Sequence, residues 1–300
     1  MPELMVLREI APSATIVPGA RIGPFCTIGP HVTIGAGTLC HRRVCIAGHT
    51  TIGADNDIAE GCVLGALPQD LKYHGEASLL LVGDRNRLGR NVTIHVGTEA
   101  GGWLTRVGND NVLNDEAHVA HDCYVDDHTF LGRGVLLAGH VRVNVRIGPF
   151  CTIGPHVTIG AVMEDQSAAH HFTTIGRYAR VRARTPVRRD VPPYTDFYSD
   201  NSATSAPGVR GIHKDGILRA RLPKDEEVEL RFALRELFAD ETALQTKIEQ
   251  LRNLGVEGEA AALCTFCQRS LQGPYGRHRE VFRGQTPPEA VPPTVGRVSS

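Results

Sequence analysis

A parallel β-solenoid built on a six-residue repeat is the fold this sequence predicts, and three features predict it. An aliphatic residue returns every six positions, at Ile10, Ile16, Ile22, Ile28 and Ile34, then at Ile46, Ile52, Ile58 and Leu64, with Cys40 in the one gap. A small residue usually follows, as in Ile22-Gly23, Ile28-Gly29 and Ile52-Gly53. Aromatics make up only 5% of the chain while 32 residues are Gly, which suits a repetitive all-β coil better than an aromatic-cored globule. Six matches neither 3.6 nor 7, so a helical repeat is excluded. Three short strands make one triangular coil, the aliphatic residues point inward, and successive coils hydrogen-bond about 4.8 Å apart. No coil buries its inner face alone, so stacking neighbours must supply the stability.

Taken in order, the elements follow this phase and its breaks. The period resumes at Val82, Leu88 and Ile94, and again from Val107 through Leu113, Val119, Val125, Leu131, Leu137 and Val143. Residues 65–81 and 97–106 interrupt it with polar and turn residues, as expected of loops ejected from a rigid scaffold to carry function. The string RIGPFCTIGPHVTIG at 21–35 recurs letter for letter at 146–160 and slips the phase, because Val143 to Ile147 is four residues and Ile159 to Ile175 is sixteen. This predicts a bulge or loop near Asn144-Val145 and another within 161–174, where Glu164-Asp165-Gln166 is too polar for an interior. The solenoid should end near Val191-Pro192-Pro193, since Pro donates nothing to a ladder. A helix is expected from Lys224 to about Leu251, with Val228, Phe232, Leu234, Leu237 and Phe238 as its apolar stripe. Residues 273–300, rich in Gly, Pro, Arg and Ser, read as disordered. The expected division is thus a β-helix over 1–195, a helical domain over 196–272 and a tail over 273–300.

Bulk charge narrows the function classes. Lys plus Arg is 32 and Asp plus Glu is 33, so no global field points to nucleic acid or to a membrane surface. The N-terminus lacks a signal-peptide pattern, and no apolar run approaches the roughly 18 residues of a membrane helix, so a soluble cytoplasmic protein is expected. Cys26, Cys62, Cys123 and Cys151 share one place in the repeat where a small side chain is wanted, which suits reduced, buried thiols. The lone CxxC at Cys264 and Cys267 is weak evidence for zinc or redox chemistry.

The residues able to do chemistry are concentrated. Ala117-His118-Val119-Ala120-His121-Asp122-Cys123 is followed by Ala138-Gly139-His140, and His95 belongs to a nearby turn. His121 and His140 are nineteen residues apart, one coil plus one step, so they should share an edge of the prism in adjacent coils. Imidazoles beside a carboxylate suit acid–base work near neutral pH, and they also suit zinc.

The runs GALPQDLKYHGE, NVTIHVGT, EAHVAHDC, AGH and DVPPY, in that order, resemble the bacterial UDP-N-acetylglucosamine O-acyltransferases that begin lipid A assembly. The resemblance spans roughly residues 7–194 and implies a left-handed parallel β-helix, an exception to the usual right-handed crossover. It also implies transfer of a (3-hydroxy)acyl chain from acyl carrier protein to the 3-hydroxyl of UDP-N-acetylglucosamine by a homotrimer, with no metal or cofactor. His121 would be the general base, Asp122 its orienting carboxylate, and Gly139 the backbone oxyanion donor. His95, His118 and His140 would line the site, with Gln69, Asp70 and Lys72 on the sugar nucleotide and Arg221 among its basic contacts. Arg177, Arg180, Arg182, Arg184, Arg188 and Arg189 offer a basic face for the acidic carrier protein. The chain departs from the pattern at Val96, where the family has Arg, and at His170-His171-Phe172, which the repeated string displaces. Three other readings stay open: a zinc lyase of the γ-carbonic anhydrase type, in which the Asp70/Lys72 loop has no purpose; a related sugar N-acyltransferase; and a non-catalytic remnant.

Overall fold

The computed structural model describes residues 7–198, 208–240 and 242–283. Its contacts divide the chain into one unit ending at His140 and a second running Val141–Arg283. Both carry left-handed parallel β-helix, and the second adds a helical region.

In the first unit nearly every strand is two to four residues long, and three parallel sheets form the walls. One wall stacks Ile10, Ile28, Ile46, Leu64, Ile94, Val119 and Leu137 in register. The second stacks Ile16, Ile34, Ile52, Val82, Val107 and Val125, and the third Ile22, Cys40, Ile58, Leu88, Leu113 and Leu131. Outside the insertions a coil takes eighteen residues, as Ile10, Ile28 and Ile46 show. The corners need one residue in the left-handed region, a conformation Asn, Asp and His tolerate best among side-chain-bearing residues. Asp55, Asn91, Asp122, His128 and His140 all occupy such positions, with φ between 55° and 63°. Small residues are required where coils touch: a Cβ on Gly23 would lie 2.7 Å from the His41 carbonyl carbon.

Polar side chains inside the prism bond backbone of the neighbouring coils. Asn56, Asn86 and Asn111 form a ladder in which each Oδ1 accepts the next coil's backbone N–H, at 2.9 Å for both Asn86 and Asn111. The repeat-position cysteines are free thiols, and those at 26, 62 and 123 donate to carbonyls of the next coil, as Cys62 does to Gly89 at 3.0 Å. Burial pushes the Cys62 thiol up to about 12, so it is an inert core group.

Both interruptions are shorter than the sequence suggests. Leu79–Val82 and Leu104–Val107 are full strands paired with each other, so only 67–78 and 97–103 leave the wall. They touch: the Glu76 carboxylate accepts the Glu99 N–H at 3.1 Å.

The second unit corrects the expected bulges. Val143 pairs with Ile159 and Ile159 with Ile175, so each of these coils takes sixteen residues. The slip is absorbed by two shortened corners, at Asn144-Val145 and Gly160-Ala161, and no loop leaves the wall between Val143 and Val187. Losing two residues preserves the in/out alternation, so a tighter corner suffices and no strand changes face. Glu164-Asp165-Gln166 lies at an ordinary corner with Gln166 at φ 58°. The last parallel strand is Thr195–Tyr198, paired antiparallel with Gly208–Ile212.

Four α-helices follow among the described residues: α1 (Lys214–Ala220), α2 (Lys224–Phe238), α3 (Leu244–Asn253) and α4 (Gly258–Gln272). The single helix expected over 224–251 is broken, although no Pro or Gly is present. The Lys247 ammonium, only 5% exposed, reaches back to the Leu237 and Asp240 carbonyls, the latter at 2.9 Å, and caps the end of α2. The buried face of α2 is Leu230, Ala233, Leu234 and Leu237, whereas Val228 and Phe232 of the expected stripe are exposed. Cys264 and Cys267 are packed in this helical core. Residues 273–283, expected to be disordered, are folded: both the backbone N–H and Nδ1 of His278 bond Asp190 Oδ2, at 2.9 and 2.8 Å. The remainder of the expected tail, 284–300, lies outside the described residues.

Candidate active site

The solenoid brings its histidines together by stacking equivalent corners, all within the first unit. His121 and Asp122 form the corner after the strand His118–Val119. His140 holds the next coil's corner, its N–H donating to the His121 carbonyl at 3.1 Å. The His121 and His140 rings meet edge to face with centroids 5.2 Å apart, and His95 and His118 do the same at 5.0 Å. The Thr93 hydroxyl and His118 Nδ1 share a hydrogen bond of 2.6 Å.

Asp122 fixes the centre. Its side chain is fully buried, and Oδ2 lies 2.7 Å from His121 Nδ1. With Nδ1 committed as the donor, His121 keeps Nε2 as its acceptor. His140 Nε2 is 3.9 Å from the same oxygen. The 67–78 loop returns to the wall here, because donor atoms of Asp70, His121 and His140 all lie within 4.8 Å of one another. His121 stands outside the prism yet is only 8% exposed, crowded by Asp70, Gly139 and His140.

The electrostatics keep the neighbouring imidazoles neutral. Burial, reinforced by His118 and His121, pushes His95 down to about 4. Burial and the proximity of His121 also lower His118. His140 is lowered chiefly by burial, with Asp122 and Asp70 pulling upward and His121 and Lys72 downward.

No protein-family profile matches this chain. Solved structures do. It is 33% identical to an LpxA from Acinetobacter baumannii, covering 86% of this chain and 93% of that one with a TM-score of 0.64. A UDP-N-acetylglucosamine O-acyltransferase from Moraxella catarrhalis is also 33% identical, with the same coverages and a TM-score of 0.60. The Francisella novicida UDP-N-acetylglucosamine acyltransferase is 28% identical over 85% of this chain and 87% of that one, with a TM-score of 0.67. The chain belongs to the UDP-N-acetylglucosamine acyltransferase family.

In this acyltransferase Gly139 has a local reason to be glycine. A Cβ there would lie 2.6 Å from His121 Nε2. Gly139 also holds the repeat position that Pro12, Pro30 and Pro155 hold in other coils, so the ladder does not consume its N–H. The donor is therefore available beside the imidazole.

The other expected residues divide by position. Asp70 reaches the cluster, and Lys72 is near enough for its charge to act on His140, while Gln69 and Lys72 remain exposed on the loop. Arg221 belongs to the second unit, where it ends α1 with φ 51°. Of the basic face, Arg177 is bonded to Glu259, and Arg180 and Arg182 to Asp196, while Arg184, Arg188 and Arg189 are exposed with no ion pair among the described residues.

Thr98 is the residue that sequence reasoning missed. Its N–H donates to Asp122 Oδ1 at 2.8 Å and its hydroxyl to Oδ2 at 2.7 Å. It lay in view at the end of NVTIHVGT, but only the folded chain places it against a carboxylate 24 residues away.

Proposed function

We propose that this enzyme transfers a (3-hydroxy)acyl chain from acyl carrier protein to the 3-hydroxyl of UDP-N-acetylglucosamine, opening lipid A synthesis. His121 Nε2 takes the proton as the sugar hydroxyl attacks the thioester carbonyl. Asp122 holds the ring and balances the imidazolium charge. The Gly139 N–H receives the developing oxyanion. The carbon–sulfur bond then breaks, the carrier's thiolate regains the proton from His121, and the sugar ester is released. His118, His140 and His95 line the pocket as neutral groups, and Asp70, Lys72 and Gln69 hold the sugar nucleotide. No metal or further cofactor enters.

The observation that carries this reading is the His121–Asp122 pair, 2.7 Å apart, with the ring edge lying over Gly139. Among the described residues no helix is long and apolar enough to cross a membrane. Incubating the protein with UDP-N-acetylglucosamine and 3-hydroxyacyl carrier protein should yield a sugar nucleotide bearing one ester at the 3-hydroxyl, together with free carrier thiol. An amide product, or none from folded protein, would contradict it.

The active species is a homotrimer, in which neighbouring walls pack beside the cluster. A monomer by light scattering at micromolar concentration would contradict that. Carrier docking through Arg184, Arg188 and Arg189 should weaken as salt rises, since screening shortens to about 8 Å at physiological ionic strength. An affinity that stays flat with salt removes this surface.

A further inference from the structure

We infer that Thr98 is a positioning residue for the acyl transfer, clamping Asp122 so that His121 is held in a single tautomer and orientation. The inference rests on His121 being the base and assigns the inserted turn 97–103 its purpose.

A fully buried carboxylate must have its lone pairs filled, or it rotates or takes up a proton. Asp122 has three donors and Thr98 supplies two of them: the backbone N–H to Oδ1 at 2.8 Å and the hydroxyl to Oδ2 at 2.7 Å. The third is His121 Nδ1, on Oδ2 at 2.7 Å. One edge of the carboxylate is thus gripped at both oxygens by a single residue, which fixes the plane in which Oδ2 meets the imidazole.

The direction of the Thr98 hydroxyl is itself determined. The Gly101 N–H donates to Thr98 Oγ1 at 3.0 Å, so that oxygen accepts from the turn and turns its hydrogen toward Asp122. The turn is closed hard on the carboxylate: a Cβ on Gly101 would lie between 2.0 and 2.4 Å from all three carboxylate atoms of Asp122. The Trp103 N–H bonds the Thr98 carbonyl at 2.7 Å, and the Asp122 N–H is held by the Thr105 hydroxyl at 2.8 Å. Thr98 is completely buried. A plain hexapeptide coil needs none of this, and the turn is absent from every coil but this one among the described residues.

The test is kinetic and uses the full-length enzyme. Thr98→Val keeps the shape and removes the hydroxyl donor. It should lower kcat roughly tenfold to hundredfold, the loss expected on withdrawing one charge-assisted hydrogen bond, with KM for UDP-N-acetylglucosamine changing little. A carboxylate that has lost a donor holds the imidazolium more strongly, so the acidic limb of the kcat/KM profile should move to higher pH. Thr98→Ser, which restores the hydroxyl, should restore both. Thr98→Ala removes the same donor and serves if the valine variant does not fold. Loss of rate with an unmoved pH limb, or loss that serine does not rescue, would assign Thr98 a merely structural role and overturn the inference. Wild-type kinetics in Thr98→Val, with His121→Ala inactive, would overturn it while leaving the base assignment standing. Activity surviving in His121→Ala removes the base assignment and the inference with it.

Discussion

Residues 21–35 and 146–160 are the same fifteen letters in two different coils. The local conformation repeats closely: the strands Arg21–Ile22 and Thr27–Ile28 have counterparts at Arg146–Ile147 and Thr152–Ile153. Phe25 and Phe150 both turn the corner in the left-handed region, at φ 59° and 56°, and both are about half exposed. What differs lies just beyond the string. After Ile34 the chain takes six residues to its next inward position, Cys40, and after Ile159 it takes four to Met163. His31 stacks on His49 at 4.3 Å in one copy, whereas His156 stacks on Phe172 at 4.7 Å in the other. Cys26 donates to a His41 carbonyl, whereas Cys151 meets Glu164 and Ser167. The hexapeptide string dictates its own coil, and its neighbours dictate everything the coil touches. Neither copy holds the candidate chemistry, which gathers on regular coils where the two inserted loops fold back onto the wall.

The largest expected effect separates the loop-covered coils from the two copies. Asp122→Asn should cost about 10² to 10⁴-fold in kcat, because an amide no longer enforces the productive His121 tautomer. Steady-state assays should find His31→Ala and His156→Ala close to wild type, and a comparable loss in either would break the contrast. The next effect should treat the copies alike. Ile28 and Ile153 are each at most 1% exposed, so truncating either to Ala should cost about 2–5 kcal/mol by denaturant unfolding, with the two values within about 1 kcal/mol. A much smaller loss at Ile153 would mean that the shortened corners leave that coil loosely packed.

A third prediction concerns acid. His95 titrates near 4 when folded and near 6.5 when unfolded, so between those values the unfolded chain binds the extra proton. Stability should therefore rise with pH across this window and be lost on acidification toward 4. His95→Gln should flatten that dependence in melts between pH 7 and pH 5, and an unchanged slope would show that His95 is not the cause. The smallest effect belongs to the corners. Phe25→Asn and Phe150→Asn should each shift stability by less than about 1 kcal/mol, in the same direction, because Asn tolerates the left-handed corner. Opposite signs would show that the two corners are not equivalent.

Much of the fold was legible because its inward positions fall at a fixed spacing that no helix shares. The ends of the insertions were not, since Leu79–Val82 and Leu104–Val107 become strands only by pairing with each other. The repeated string misled in another way: its phase slip suggested extra chain, and the fold met it with two tighter corners. The break after Phe238 was hidden because the Lys247 amine that caps α2 lies on the next helix. In the site, spacing alone placed His121 and His140 together, since one coil separates them. It could not place Asp70, which a loop delivers, or Thr98, whose partner lies in the next coil.

The initial rate of acyl transfer by His121→Ala, set beside the wild type on the same UDP-N-acetylglucosamine and acyl carrier protein, bears most directly on the whole account. His121 fills no volume inside the prism, so the variant should fold. Its turnover should fall by about 10² to 10⁴-fold. Turnover within a few fold of wild type, from protein with an unchanged melting temperature, would contradict the claim that the chemistry sits on the coils these loops cover.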